Sequence, residues 1–171
     1  FSDVYKALIK GLPAGVIVGN TWLRNADNQV VIGADGFPLV DNNLKVIGNP
    51  HPDFIMKMTN RFTFREKWSL NFDWEWRKGG DIWNGTQAML DYYGRSAASG
   101  ALRNTTGYVF SGVLQNGQHN GIPVSFYDPA KPVEQNRWVR YGPAGVAEDY
   151  IEDGSFVRLN AAGISYKKSL K

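Results

Sequence analysis

Asp73 and Glu75 lie two residues apart in WSLNFDWEWR (68–77), so an extended backbone places both carboxylates on one face. A carboxylate pair can cleave a glycosidic bond when one member stays protonated and the other charged. That chemistry would need a partner geometry and a raised pKa on one of the two. The simpler reading is a row of charges, balanced across strands by Lys57, Arg61 and Arg77. Other sets are weaker. Asn25, Asp27, Asn28 and Asp35 in NADNQVVIGADG are rich in oxygen, but the Asp-x-Asp-x-Asp-Gly…Glu pattern of a calcium loop is missing, and turn chemistry explains them. His51 sits between two prolines and His119 in an NGQHN turn, neither with a second ligand at metal spacing. Ser111 and Ser155 lack a Gly-x-Ser-x-Gly setting. KGGD (78–81) has no phosphate-loop surroundings and reads as a tight turn, with Gly79 and Gly80 relaxing the backbone and Asp81 capping it. With no Cys, thiolate metal sites and thiol nucleophiles are excluded. No enzymatic centre and no cofactor is expected.

Composition narrows the partners. The net charge is +3 and no more than two Lys/Arg are adjacent, so no nucleic-acid footprint is indicated. No run of about 20 apolar residues exists, so no helix spans a bilayer; strands escape that test because their signal is alternation. High Gly (19) and aromatic content (13%, with six Trp) fit an all-β chain with many turns. The chain begins at Phe1 and ends in SYKKSLK, and it reads as a piece of something longer.

The elements that position the charges are more informative than the charges. In 68–77, Trp68, Leu70, Phe72, Trp74 and Trp76 share one parity, while Ser69, Asn71, Asp73, Glu75 and Arg77 share the other. In FIMKMTNRFTF (54–64), Phe54, Met56, Met58, Phe62 and Phe64 share a parity that only Asn60 breaks, against Lys57, Thr59, Arg61 and Thr63. REK (65–67) is a charged turn between them. Each run has the roughly 9–11 residues that cross a bilayer as a tilted strand. A third strand is expected over 155–166, where Val157, Leu159 and Ala161 alternate with Arg158 and Asn160 until the phase slips near Gly163, consistent with a bulge.

The remainder is turn-rich. Residues 1–10 form a short helix or a lead-in, 11–24 one interrupted strand, and 25–52 a small hairpin or meander around VVIG. A short helix is expected over 86–96 with Gly94 as its stop, and a hairpin of 106–114 with 121–127 around QNGQHN. Residues 128–154 are irregular and rich in Pro and Gly.

Three environments could receive the tryptophan row. A soluble sheet core is the usual one, but three Trp and a Phe facing Phe and Met interdigitate poorly across two sheets about 10 Å apart. Sugar-stacking platforms use two or three rings rather than a wall. Lipid accounts for the whole pattern: an apolar band outward with aromatic girdles, Trp68 and Trp76 near the two ends and Trp74 slightly deeper, and a polar lumen inward.

GNPHPDFIMKMTNRFTFREKWSLNFDWEWRKGGDIWNGT resembles the late-barrel signature of SusC/RagA-type TonB-dependent outer-membrane transporters, with its Pro-Asp-Phe stretch, two long strands and Arg-Lys-Gly-Gly-Asp. YIEDGSFVRLNAAGISY is similar to that family's Glu-Asp-Gly-Ser-Phe-x-Arg-Leu element, although Asn-Ala-Ala-Gly departs from the usual continuation. GLPAGVIVGNTWLRNADNQVVIGADGFP resembles the upstream loop with its Asp-Gly-x-Pro turn. The three blocks stand in the family's order over about residues 11–166.

The resemblance implies an all-β fragment of a barrel wall, residues 1–171 as one piece without a plug domain, carrying long extracellular loops and one short loop helix. Alone, such a piece would form an open sheet or a sandwich. It also implies a location in the outer membrane of a Gram-negative bacterium, import of glycan or peptide, a SusD-like surface lipoprotein as partner, contact with membrane lipid, and TonB acting through the absent plug. REK would be periplasmic, with 11–52 and 79–154 outside the cell. Lys57, Arg61, Asp73, Glu75, Arg77 and Arg158 would face the lumen. Loop aromatics would bind ligand, chiefly Trp83, Tyr92, Tyr93 and Trp138, with Phe126, Tyr127 and Tyr141 as further candidates; ordinary packing within the loop is the competing role. The alternative function is a soluble β-sandwich that binds glycans, and behind it a secreted glycoside hydrolase fragment.

Overall fold

The structure, a computed structural model, describes residues 4–130, 132 and 145–168. It divides into two compact units, one made of Phe1–Gly48 with Trp83–Glu152 and the other of Asn49–Ile82 with Asp153–Lys171.

The second unit holds the long strands. β5 (Pro52–Phe64), β6 (Trp68–Gly79) and β10 (Phe156–Tyr166) form an antiparallel sheet in the order β10-β6-β5. Strict alternation over 68–77 gives β6 its two faces, and the central position gives it a partner on each side. β5 and β6 meet at a hairpin in which Arg65 and Glu66 both hold positive φ (52° and 56°) and the Lys67 N–H donates to the Phe64 carbonyl at 3.2 Å. Two successive positive φ values match the right-handed twist of flanking strands. The sheet is open: among the described residues the outer edges of β5 and β10 pair with no further strand, and no barrel closes.

The top of this sheet is fixed by the KGGD turn. Gly80 has φ +87°, and a Cβ there would run into the Arg77 guanidinium and the Pro50 carbonyl, so the position demands glycine. Arg77 itself donates from Nη2 to the Pro50 carbonyl (3.2 Å). The Gly79 N–H donates to Ser155 Oγ (2.7 Å), and the Asn49 N–H to Asp81 Oδ2 (2.7 Å).

The first unit is built from shorter pieces. β1 (Tyr5–Ala7), β2 (Val16–Trp22) and β4 (Val40–Gly48) form an antiparallel sheet in the order β1-β2-β4. Residues 5–7 are therefore a strand where a helix or lead-in was expected; Tyr5 pairs with Val18, which gives this short segment hydrogen bonds that no local helix could offer. β3 (Val31–Ile32) pairs in parallel with β8 (Val113–Leu114), an exception to the antiparallel expectation. The anticipated hairpin around QNGQHN is reduced to isolated antiparallel bridges, Tyr108 with Val124 and Val113 with His119. β7 (Asp81–Trp83) and β9 (Ile151–Asp153) make a further two-stranded ladder.

The expected helix over 86–96 is shorter, α1 (Gly85–Tyr92), capped by Asn84, whose side chain accepts from the Gln87 N–H at 2.9 Å. Gly94, at φ +64°, follows its end. A second helix, α2 (Ala97–Leu102), was not expected. Ser96 and Ser99 bond each other's backbone N–H in a capping box. A 3-10 turn covers Ala147–Tyr150.

The buried core lies in this unit. Val16, Ile17 and Val18 of β2, Ile32, Val113, Val124, Phe126 and Val146 are its main members. Asn20 is buried too, and both ends of its amide are used: Nδ2 donates to the Gly145 carbonyl (2.8 Å) and Oδ1 accepts from the Ala147 N–H (2.7 Å). That pairing removes the cost of burying the amide and ties β2 to the 3-10 turn.

Candidate functional site

The register of the three-stranded sheet sorts its side chains into two opposed surfaces. One surface stacks five cross-strand rows: Met56–Trp76–Val157, Met58–Trp74–Leu159, Asn60–Phe72–Ala162, Phe62–Leu70–Ile164 and Phe64–Trp68–Tyr166. Asn60 is the only one of these fifteen side chains that is neither aliphatic, thioether nor aromatic. The other surface carries Ile55–Arg77–Phe156, Lys57–Glu75–Arg158, Thr59–Asp73–Ala161, Arg61–Asn71–Gly163 and Thr63–Ser69–Ser165.

β10 keeps its apolar residues on the correct surface through a bulge between Leu159 and Ala161. The slip comes earlier than the expected position near Gly163. Asn160 is the extra residue, and it resets the parity so that Ala162, Ile164 and Tyr166 rejoin Val157 and Leu159.

On central β6, Trp68 (48%), Leu70 (43%), Trp74 (37%) and Trp76 (42%) are exposed and Phe72 is half-buried, while Ser69, Asn71, Asp73, Glu75 and Arg77 on the other side are half-buried. On the flanking strands both sides are open, with Lys57, Thr59, Arg61, Thr63 and Arg158 exposed. Met56, Met58, Phe62, Phe64, Val157, Leu159, Ile164 and Tyr166 are exposed as well. A contiguous apolar surface of this kind marks contact with something else.

Aromatic pairs sit at both ends of this surface. Trp68 and Tyr166 lie 4.6 Å apart by ring centroids at one end, and Phe54 and Trp76 5.0 Å apart, edge to face, at the other. Phe62 and Phe72 stack at 5.9 Å between them. Phe54 to Phe64 is ten steps of roughly 3.3 Å, about 33 Å along the strand.

The charged surface is linked across strands. Glu75 accepts from Arg158 Nη2 and from Asn160 Nδ2, both at 3.4 Å, and Arg158 Nε donates to Asn160 Oδ1 at 2.8 Å. Lys57 stands opposite Glu75 on the other side, and Arg61 opposite Asn71. Arg77 turns toward the carbonyls of the KGGD end instead of extending the charge row. Asp73 lies between Thr59 and Ala161, and its Oδ1 is shielded without a hydrogen-bond partner among the described residues.

The loop aromatics do not form one group. Phe126 is a core residue, 2% exposed, with Tyr92, Leu102, Phe110 and Tyr127 packed on it. Tyr92 meets Tyr93 edge to face at 5.1 Å, and Tyr93 is 60% exposed. Trp83 lies in β7 and is half-buried. Trp138 and Tyr141 fall outside the described residues. The oxygen-rich 25–35 segment uses its side chains on turns: Asn25 Oδ1 accepts from the Asp27 and Gln29 N–H groups (3.0 and 2.9 Å), and Asp35 Oδ1 from the Phe37 N–H (3.1 Å).

Tyr166 and Ile164 were not singled out from the sequence, because the uncorrected alternation of β10 breaks before reaching them. Their signal is visible only once their opposition to Trp68 and Leu70 is known. Asp149 and Tyr150 were missed as well. The carboxylate of Asp149 accepts from the Trp22 indole N–H at 3.0 and 3.1 Å, and Tyr150 Oη donates to Asp91 Oδ2 at 3.0 Å. Burial pushes the Asp149 carboxyl above its ordinary value, outweighing the Trp22 bond.

Neither the protein-family models nor the curated proteins contain a match to this chain.

Proposed function

We propose that this chain is part of the barrel wall and extracellular loops of a TonB-dependent outer-membrane transporter of the SusC/RagA type. β5, β6 and β10 cross the membrane as consecutive wall strands, with the tryptophan surface against lipid and the Lys57–Glu75–Arg158 surface against a wet lumen. The first unit supplies loop mass outside the cell. The parent imports an oligosaccharide or peptide together with a SusD-like lipoprotein, with energy arriving from TonB through a plug. No covalent chemistry is assigned to this segment.

The observation that carries the reading is the sorting of β6: Trp68, Leu70, Trp74 and Trp76 are exposed on its apolar side, and Asp73, Glu75 and Arg77 are half-buried on its ionic side. Lipid makes an open apolar surface favourable, and a curved wall shields the inner one. A soluble glycan-binding sandwich would need a second layer over this surface, and Trp68, Leu70, Trp74 and Trp76 are exposed on it. The open edges of β5 and β10 also suit neighbouring wall strands, because a bilayer tolerates no unpaired edge.

The test uses native tryptophan fluorescence of the chain added to vesicles containing brominated lipid. Quenching with a blue-shifted emission supports the assignment. Unquenched emission that dissolved iodide removes would contradict it.

A further inference from the structure

A cavity of about 270 Å³ opens within the first unit, among α1, α2, the 3-10 turn and β9. Its wall includes Gln87 and Asp91 of α1, Leu102 of α2, Asp149 and Tyr150 of the 3-10 turn, and Glu152 of β9. No Lys, Arg or His lines it. The volume falls just below the roughly 300–1,000 Å³ of sites for drug-sized ligands, so it suits one side chain better than an oligomer.

The hydrogen bonds inside the wall decide what it offers a visitor. Gln87 Nε2 donates to Asp91 Oδ1 (2.9 Å) and Tyr150 Oη to Asp91 Oδ2 (3.0 Å). Asn84 Nδ2 donates to Glu152 Oε1 (2.7 Å), and the Trp22 indole to Asp149. These donors are neutral. Arg24 is committed to Glu148 at 2.9 Å. Ser99 Oγ donates to the Ser96 carbonyl (3.0 Å), so the polar donors at the wall are engaged within the unit, and three carboxylates share the cavity without a cation lining it. A neutral sugar needs donors as well as acceptors, and this wall presents chiefly acceptors. A guanidinium or ammonium group is all donor and supplies the missing charge. Leu102 and Ala98 give an apolar floor for the aliphatic stem that precedes such a group.

We propose that this cavity binds the cationic side chain of a basic peptide, with its stem on Leu102 and its charged head among Asp91, Asp149 and Glu152. The inference rests on the reading of this unit as the ligand-facing loop of an importer, and it selects peptide over glycan.

The experiment is titration calorimetry of the 171-residue chain in detergent. The probes are Nα-acetyl-arginine methylamide, its neutral isostere Nα-acetyl-citrulline methylamide, and glucose. The arginine probe is expected to bind about tenfold or more tightly than citrulline and to weaken with added salt, as a charge-assisted contact must. Glu152→Gln and Asp91→Asn should each weaken it, with circular dichroism confirming that each variant folds. Should a variant unfold, the comparison of arginine with citrulline on the unaltered chain still decides. Equal binding of the two probes, preference for glucose, or no heat from any probe overturns the inference. None of these outcomes bears on the lipid contact of β6, which brominated lipid reads separately.

Discussion

Glu75 of β6 and Arg158 of β10 face each other at 3.4 Å, on the side of the sheet opposite Trp74 and Leu159. One step along either strand therefore changes the environment from ionic to apolar. Arg158 is mostly exposed, so the pair adds little to stability. Its meaning lies in the sorting: with the long strands alternating in phase, a single register slip would place Trp74 among charges.

Asn60 is the exception on the apolar surface. It stands across from Phe72 in the middle row, and its Nδ2 is shielded without a partner among the described residues. An unsatisfied amide costs about 1–3 kcal/mol. Asn60→Leu should raise stability by an amount of that order, read from denaturant unfolding of the lipid-reconstituted protein. A loss of stability would mean that the amide has a partner in the assembled molecule.

Deleting Asn160 should be tolerated. It removes the extra residue of the bulge and leaves Leu159 and Ala162 on the apolar surface, at the loss of the Asn160–Glu75 contact. Deleting Thr59 from β5, whose register is regular from Phe54 to Phe64, should instead invert Phe62 and Phe64 onto the polar surface and abolish folding. Circular dichroism and protease resistance after refolding compare the two; equal tolerance would refute the register.

The acid response should separate two aspartates. Asp153 Oδ1 accepts from the Ser155 hydroxyl (2.6 Å) and N–H (2.9 Å), and these bonds hold its carboxyl below the ordinary 3.8. A depressed folded pKa gives stability that is present above the unfolded value and lost as pH falls through the folded one. Asp153→Asn should therefore be less stable than the parent at neutral pH, with the gap closing in acid. Asp149 is raised by burial, so its contribution declines as pH climbs from 3.8 through its folded value. Asp149→Asn should gain on the parent over that rise. Thermal melts across the acid range check both signs, and a gap of the opposite slope for either variant would contradict its assignment.

The two units differed in how far the sequence foretold them. β5 and β6 were legible almost to the residue, because period-two alternation over ten or more positions has few competing explanations. β10 was legible up to its bulge; NAAG offers small residues with no parity of their own, and only the opposing strand fixes the slip at Asn160. The first unit was legible only in part: β2 lies within the expected strand of 11–24 and α1 overlaps the expected helix of 86–96. β3 and β8 have two residues each, too few to show a period, and Asn20 finds its partner 125 positions away. α2 has a sequence of small residues, AASGAL, whose one cue is the Ser96–Ser99 cap. Of the proposed site, Lys57, Glu75 and Arg158 were among six charges expected on one face, but their alignment in one row follows only from the register, and the turning of Arg77 toward Pro50 depends on the KGGD backbone. The loop aromatics separated for a packing reason: Phe126 supplies core that short strands could not, leaving Tyr93 outside.

The most direct test places nitroxide labels singly at Leu70, Phe72, Asp73 and Glu75 in the parent transporter, held in outer-membrane vesicles, and measures collisions with oxygen and with a water-soluble nickel complex. Labels at 70 and 72 should collide with oxygen and be shielded from nickel, and labels at 73 and 75 should show the reverse. Nickel access at 70 and 72, with 73 and 75 dry, would contradict the assignment of these two faces.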